Sequence, residues 1–399
     1  MKNIAILGFG VVGGGVAELL TKNSKEVTAL GKDEINIKYI LDLRDFPDSP
    51  FADKVIHDYE IIANDPEIDT VIEVMGGSHP AYEFTVKALS AGKHVITSNK
   101  EVVANFGDEF MALAEANGVC YRFEAAVGGG IPVLSPIISC VKQNKLSEVR
   151  GILNGTTNYI LTKMFSLGDS FESALSDAQA KGYAESNPAA DILGTDACRK
   201  IAILTALATG KLIPTDKIHT EGITGVRHED VAAAEKIGLK IKLLGRCIIK
   251  NEGVLAMVAP FMLPEDEPLS GVNGVFNAVE VVGDPINKAM FYGPGAGAGP
   301  TASAVVGDLM EIMRSGRNYA VPEMKKTECG TLSFDSFVCR SYIALCGVSE
   351  QAARDAFGKI EVISSGDELA FITSTISEAD CKASLASLGG ELRSRIRLI

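Results

Sequence analysis

The sequence predicts an α/β protein: an N-terminal doubly wound parallel sheet, an α+β region, and a small ferredoxin-like module at the C-terminus. Three observations predict it. Short apolar runs alternate with helical patterns through residue 145, the mark of parallel strands joined by crossover helices. A glycine-rich turn, Gly8-Phe9-Gly10-Val11-Val12-Gly13, follows the first apolar run and opens a helical pattern. The final seventy or so residues read strand, helix, strand, strand, helix, strand. Domain limits are expected at residues 1–145, 146–320 and 330–399.

In chain order, strands are expected at Asn3–Leu7, Ile35–Leu41, Thr70–Val74, His94–Thr97 and Val119–Phe123. Helices are expected around Val11–Thr21, Pro80–Ser90 and Gly107–Ala116. The run IDTVIEVMGG ends in two glycines, where a ligand could approach the backbone at a strand's carboxyl end. The middle region carries a helix at Asp196–Thr209 and strands at Leu239–Ile248, Gly253–Phe261, Val279–Val282 and Lys288–Tyr292. A helix should begin near Pro300, because proline suits a first helical position. The C-terminal pattern predicts strands Ser341–Leu345, Lys359–Ser364, Glu368–Thr373 and Arg393–Leu398, with helices Ser349–Phe357 and Glu378–Leu388.

Composition narrows the function classes. The chain has 399 residues, enough for two or three domains, with 46% hydrophobic and 22% charged residues. A formal net charge of -13 repels phosphate backbones and anionic lipid, which argues against nucleic acid and membrane as partners. It leaves room for an anionic cofactor, since backbone N–H groups hold phosphate locally. The eight cysteines form no C-x-x-C pair and several lie in apolar runs, the usage of reduced thiols in a cytoplasmic protein. The five histidines lack metal-ligand spacing, so zinc is not expected. The opening MKNIAILGFGVVGGG could pass for a signal peptide, but its spaced glycines and the amphipathic stretch after it read as strand, turn and helix. No uncharged apolar run is long enough to span a membrane.

Four motifs carry chemistry. In G-x-G-x-x-G the first glycine permits a tight turn, the second admits a pyrophosphate, and the third packs helix on strand. A glycine-rich turn without ligand is the bland alternative, but the position after an N-terminal strand favours a dinucleotide. The second strand ends Asp42-Leu43-Arg44; an acidic residue there suits a ribose hydroxyl and an arginine a 2′-phosphate, so NAD and NADP both stay open, with a lean to NAD. Lys100, in Thr97-Ser98-Asn99-Lys100, stands at a strand's carboxyl end, where a lysine points to the ligand crevice and not, as most lysines do, to solvent. Asp196 and Lys200, four apart, share a helix face. Alone they would be a surface pair, but the helix continues IAILTALA, apolar all round, so its polar start should line a cavity. There Glu185 and Asp196 could hold an ammonium and Lys200 could give a proton to a carbonyl oxygen. Finally, the turn Asn154-Gly155-Thr156-Thr157-Asn158 offers short donors, with helix capping by Thr156 or Thr157 as the default.

Taken together these segments resemble the homoserine dehydrogenase family. GFGVVGGG, IDTVIEVMGG, GKHVITSNKEVVA, FEAAVGGGIPVL, GILNGTTNYIL, GYAESNPAADILGTDACRKIAIL and GPGAGAGPTASAVVGDL match its pattern in order across residues 1–318. The resemblance implies a Rossmann cofactor domain, a substrate-binding and dimerisation domain, and NAD(P)H-dependent reduction of L-aspartate 4-semialdehyde to L-homoserine, a step toward threonine, methionine and isoleucine. It implies Lys200 as proton donor and Lys100 as a second active-site lysine close to cofactor and substrate. It places Glu185 and Asp196 on the amino acid, with Asp191 in support. Phe9, Gly10, Val11, Val12 and Gly13 would hold the dinucleotide, joined by Gly76, Gly182 and Gly297. It further implies a monovalent cation, sodium, held by the Glu124 carboxylate and the carbonyls of Val127, Gly129 and Ile131, and a homodimer or dimer of dimers. The C-terminal segment resembles a shortened ACT-type regulatory domain; its loop LCGVSEQAARDAF lacks the proline–glycine turn of effector-binding versions, so it serves either threonine sensing or dimerisation. No kinase segment precedes the dehydrogenase, so a bifunctional enzyme is not expected. Two other readings compete: a Rossmann dehydrogenase for a different carbonyl, and a non-catalytic dinucleotide sensor, which would need neither Lys100 nor Lys200.

Overall fold

The computed structural model describes residues 1–316 and 322–399. The expected domain limit at residue 320 lies outside the described residues. The chain forms two compact units, each built from separated segments. The first comprises Met1–Lys145, Ala202–Thr215 and Phe291–Thr327, and the second Leu146–Ile201, Asp216–Met290 and Glu328–Ile399.

The first unit holds a six-stranded parallel sheet: β1 (Lys2–Leu7), β2 (Ile35–Leu41), β3 (Val55–Ile56), β4 (Ile68–Glu73), β5 (His94–Thr97) and β6 (Tyr121–Arg122). Their spatial order is β3-β2-β1-β4-β5-β6. The order reverses between β1 and β4, so the ligand crevice of a doubly wound sheet lies beyond the carboxyl ends of those strands. Branched side chains bury one sheet face, where Ile4, Ile6, Ile40, Ile72 and Ile96 form one core with Val305 and Leu309, and Ala5 and Leu7 between and after them are buried as well. The helices Val11–Lys22 and Ala298–Ser315 approach closely at Gly15, where a Cβ would sit 2.9 Å from the Ala298 carbonyl oxygen. Two expectations move. The helix expected near Pro300 begins at Ala298, because Gly297, at φ 117, turns the chain into it. The helix expected at Gly107–Ala116 runs Lys100–Asn117, because Asn99 caps it seven residues earlier.

The second unit is built on a mixed sheet. The longer strands of that sheet are β7 (Lys145–Ile152), β8 (Leu239–Lys250), β9 (Gly253–Pro264), β10 (Phe276–Asp284), β11 (Asn287–Pro294, of which residues 287–290 belong to this unit), β12 (Ser341–Cys346), β13 (Ile360–Ser364), β14 (Glu368–Thr373) and β15 (Glu391–Leu398). Their order is β11-β10-β7-β8-β9-β15-β12-β14-β13. The C-terminal strands, with helices Glu350–Phe357 and Glu378–Leu388, make a βαββαβ arrangement whose four strands pair antiparallel with one another. β15 also pairs parallel with β9 at Phe261 and Met262, so this module extends the larger sheet. Charge fixes that junction. The Arg397 guanidinium, 2% exposed, binds Glu221 at 2.6 and 2.9 Å and Glu378 at 2.7 Å. Removing both carboxylates would leave a buried charge uncompensated.

Candidate functional site

In the first unit the glycines of the first turn divide their work as the motif requires. Gly8 has φ +94. A Cβ on Gly13 would lie 2.0 Å from the Gly8 carbonyl oxygen, so strand and helix meet there without a side chain between them. A Cβ on Gly10 would meet nothing within 4 Å; that open space stands before the first turn of the helix Val11–Lys22, where N–H groups have no helical partner. Val11 is 72% exposed despite being apolar. The Phe9 N–H donates to Asp42 Oδ2 at 2.8 Å, and the Arg44 backbone N–H and side chain both donate to Asp42. The Arg44 guanidinium holds the Asp42 carboxyl down to about 2. A cavity of about 510 Å³ opens beside these groups, lined by Gly8, Gly10, Asp42, Arg44, Gly76 and Phe84 among others. The residues therefore fit an adenine dinucleotide.

A buried relay braces the same crevice. Glu73, fully buried at the end of β4, accepts from the Met75 N–H at 2.8 Å and from Thr97 Oγ1 at 2.6 Å. Thr97 Oγ1 accepts the Asn99 N–H, and Asn99 Nδ2 donates to the Gly77 carbonyl at 2.7 Å. Burial pushes the Glu73 carboxyl up to about 7. The relay fixes the loop at Gly76 and sets half-buried Lys100 as the first residue of its helix. Sequence reasoning missed Glu73; the signal was an acidic residue closing the apolar run Val71-Ile72 at the carboxyl end of β4.

The loop after β6 answers the cation expectation in two parts. Glu124, 8% exposed, uses both carboxylate oxygens on the start of the next helix: Val133, Leu134 and Ser135 N–H groups donate at 2.8 Å, and Ser135 Oγ at 2.6 Å. A carboxylate so engaged caps the helix that begins at Leu134. The carbonyls fit better. Val127, Gly129 and Ile131 are buried, and among the described residues none of their carbonyl oxygens accepts a hydrogen bond. Gly129 has φ +56, and a Cβ there would sit 2.6 Å from the Gly295 carbonyl.

In the second unit the polar cluster assembles around Asn154. Lys200 Nζ donates to Asp196 Oδ2 and to the Leu153 carbonyl, both at 2.7 Å. Asn154 Nδ2 donates to Asp191 Oδ1 at 2.7 Å and Asp196 Oδ2 at 2.8 Å. Asp196 is 3% and Lys200 7% exposed, which rules out a solvated surface pair. Asn154 Oδ1 accepts the Thr157 N–H at 2.8 Å, so the cap of helix Gly155–Leu167 is Asn154, and the expectation of Thr156 or Thr157 is corrected. Glu185 is not drawn in. It stands exposed, with its backbone carbonyl accepting from Gln179 Nε2 at 3.0 Å, and among the described residues its carboxylate bonds none of Asn154, Asp191, Asp196 or Lys200. Gly182, at φ +72, forms the exposed turn before it.

Residues 8–124 match the family model for the homoserine dehydrogenase NAD binding domain, and residues 132–310 the model for homoserine dehydrogenase itself. A homoserine dehydrogenase of Synechocystis is 42% identical over 315 residues, covering 78% of this chain and 73% of that protein. The chain belongs to the homoserine dehydrogenase family. Homoserine dehydrogenases are NAD(P)-dependent oxidoreductases acting on a CH–OH group. A crystal structure of the homoserine dehydrogenase from Thiobacillus denitrificans matches with a TM-score of 0.91 and 34% identity, covering 100% of this chain and 98% of that one. A hyperthermophilic archaeal homoserine dehydrogenase mutant in complex with NADPH matches with a TM-score of 0.67 and 28% identity, over 78% of this chain and 97% of that one. Among the described residues no helix is long and apolar enough to cross a membrane.

Proposed function

We propose that the chain reduces L-aspartate 4-semialdehyde to L-homoserine, reversibly, with NADH or NADPH. The observation that carries this reading is the buried Asn154–Asp191–Asp196–Lys200 cluster in a chain of this family. The reduced nicotinamide, when bound, supplies hydride to the aldehyde carbon. The remaining work belongs to the chain. Phe9, Gly10, Val11, Val12 and Gly13, with Gly76, Gly182 and Gly297, hold the dinucleotide. Lys200 Nζ, oriented by Asp196 and the Leu153 carbonyl, gives the proton that the alkoxide oxygen takes up. Asp191 and Asp196 offer negative charge to the substrate ammonium, which selects an amino-acid aldehyde over a plain one. Exposed Glu185 is the further carboxylate proposed for the amino acid, and Lys100 acts as a second cationic group on substrate and cofactor.

Arg44, beside the cavity and 63% exposed in its side chain, is positioned to accept a 2′-phosphate, while Asp42 suits a ribose hydroxyl. We read the carbonyls of Val127, Gly129 and Ile131, with that of Glu124, as ligands for sodium in a structural role, oxygen donors being suited to a hard cation. Residues 330–399 are read as a shortened ACT-like regulatory domain of a cytoplasmic homodimer or dimer of dimers.

The test is oxidation of NADH and NADPH, in separate assays, with L-aspartate 4-semialdehyde, with and without L-threonine. Rapid oxidation supports the reaction and ranks the cofactors. Folded protein that binds dinucleotide yet oxidises neither would send the substrate to another carbonyl.

A further inference from the structure

We infer that Asn154 is a positioning residue, setting Asp191, Asp196 and through them Lys200 in working geometry; the inference rests on the proposed reading of that cluster. Its side chain is 5% exposed and every hydrogen-bonding group of its amide is committed. The two N–H bonds of Nδ2 go to Asp191 Oδ1 and Asp196 Oδ2, and Oδ1 takes the Thr157 N–H. Turning the amide over would set its oxygen against two carboxylates and its N–H groups against a donor. Its orientation is therefore fixed by three partners at once.

Two carboxylates converging on one nitrogen repel each other in a buried setting, and the amide's paired donors offset that repulsion. Asp196 Oδ2 accepts from both Asn154 and Lys200, so a displaced Asp196 would carry the lysine with it. The anchor is firm: Thr157 Oγ1 donates to the Asn154 carbonyl, and a Cβ on Gly155 would lie 2.7 Å from the Val275 carbonyl oxygen. No other side chain meets all three demands. Aspartate caps the helix but has no donors and adds a third negative charge. Serine caps it but has one hydroxyl. Glutamine's extra methylene moves the cap away.

The experiment is steady-state kinetics of the full chain carrying Asn154→Ser or Asn154→Asp, with L-aspartate 4-semialdehyde and NADPH. Both replacements are good helix caps, so a residue that only caps would leave kinetics unchanged. The inference expects kcat/KM for the aldehyde to fall about 100-fold in the serine variant, and further in the aspartate variant, as for a displacement of about 1 Å. The KM for NADPH should stay within about twofold and Tm within a few degrees, as with any change confined to the carboxylates. Wild-type kcat/KM in the serine variant would overturn it. So would a parallel loss of NADPH affinity and Tm, or failure of both variants to fold, each marking a purely structural role. If the serine variant alone misfolds, the aspartate variant decides. Absence of turnover in the wild type would instead strike the proposed reaction itself.

Discussion

Two lysines of the second unit are both buried and differ in their partners, a carboxylate for one and neutral acceptors for the other, and only the first is the proposed proton donor. Lys200 lies 7% exposed with a carboxylate at 2.7 Å and a second carboxylate one amide away. Lys242, on β8, lies 2% exposed, and its acceptors among the described residues are neutral: the Val272 carbonyl, and Asn158 and Asn273 Oδ1 at 3.1 Å each. Burial pushes the Lys242 ammonium down to about 7. Asn158 also donates to the carbonyls of Val272, Gly274 and Phe276, so Lys242 belongs to a fastening that holds the loop before β10. A lysine in apolar surroundings can look like an active-site base. Here the partners point otherwise: among the described residues the acceptors of Lys242 are two side-chain amides and one backbone carbonyl.

Substitutions can break or sharpen this contrast. The largest effect is expected from Lys200→Ala, with kcat lowered about 1,000-fold or more and dinucleotide binding retained, as read by nicotinamide absorbance and by fluorescence titration of NADPH. Unchanged turnover would remove Lys200 as the proton donor. Next, Asp196→Asn would take from Lys200 the carboxylate that accepts its N–H at 2.7 Å; kcat/KM for the aldehyde is expected to fall about 100-fold. A third test is thermodynamic. Because the folded-state value for Lys242 is depressed, the unfolded chain binds more protons between about pH 7 and 10.5, and stability rises with pH across that window by up to about 1.4 kcal/mol per unit. The Tm of Lys242→Met minus that of wild type should therefore decrease from pH 7 to pH 9, and a flat difference would show that Lys242 stays charged in the fold. Glu73, raised to about 7, has the opposite slope, losing stability as pH climbs from about 4.5 to 7, so the two are read in separate windows. The smallest effect belongs to Lys242→Met on catalysis, where kcat/KM at pH 8 should stay within about twofold of wild type; a larger loss would make it more than a brace.

Much of the fold was legible because its signals are local. Strands Ile35–Leu41 and His94–Thr97 fall where alternating apolar runs place them, and so do the six elements after residue 340, within one to two residues at most ends. Helix starts were less legible: Asn99 and Asn154 each cap a helix that periodicity alone placed later or assigned to a neighbouring residue. The short helices Ser24–Gly31 and His228–Lys236 passed unnoticed, since one has a single buried apolar side chain and the other is rich in charge.

The sequence by itself determined the dinucleotide cradle, because Gly8, Gly10 and Gly13 act through backbone geometry that six consecutive residues encode. It also named Asp196 and Lys200, since a helical spacing of four brings them to one face. Only the tertiary structure decided that Asn154 joins Asp191 to Asp196, that the Glu124 carboxylate caps a helix, and that Glu73 locks the loop at Gly76. Each of those contacts links residues between nine and forty-two positions apart or reads a side chain's full set of partners, and a polar group's role in a low-dielectric interior is set by all its partners together.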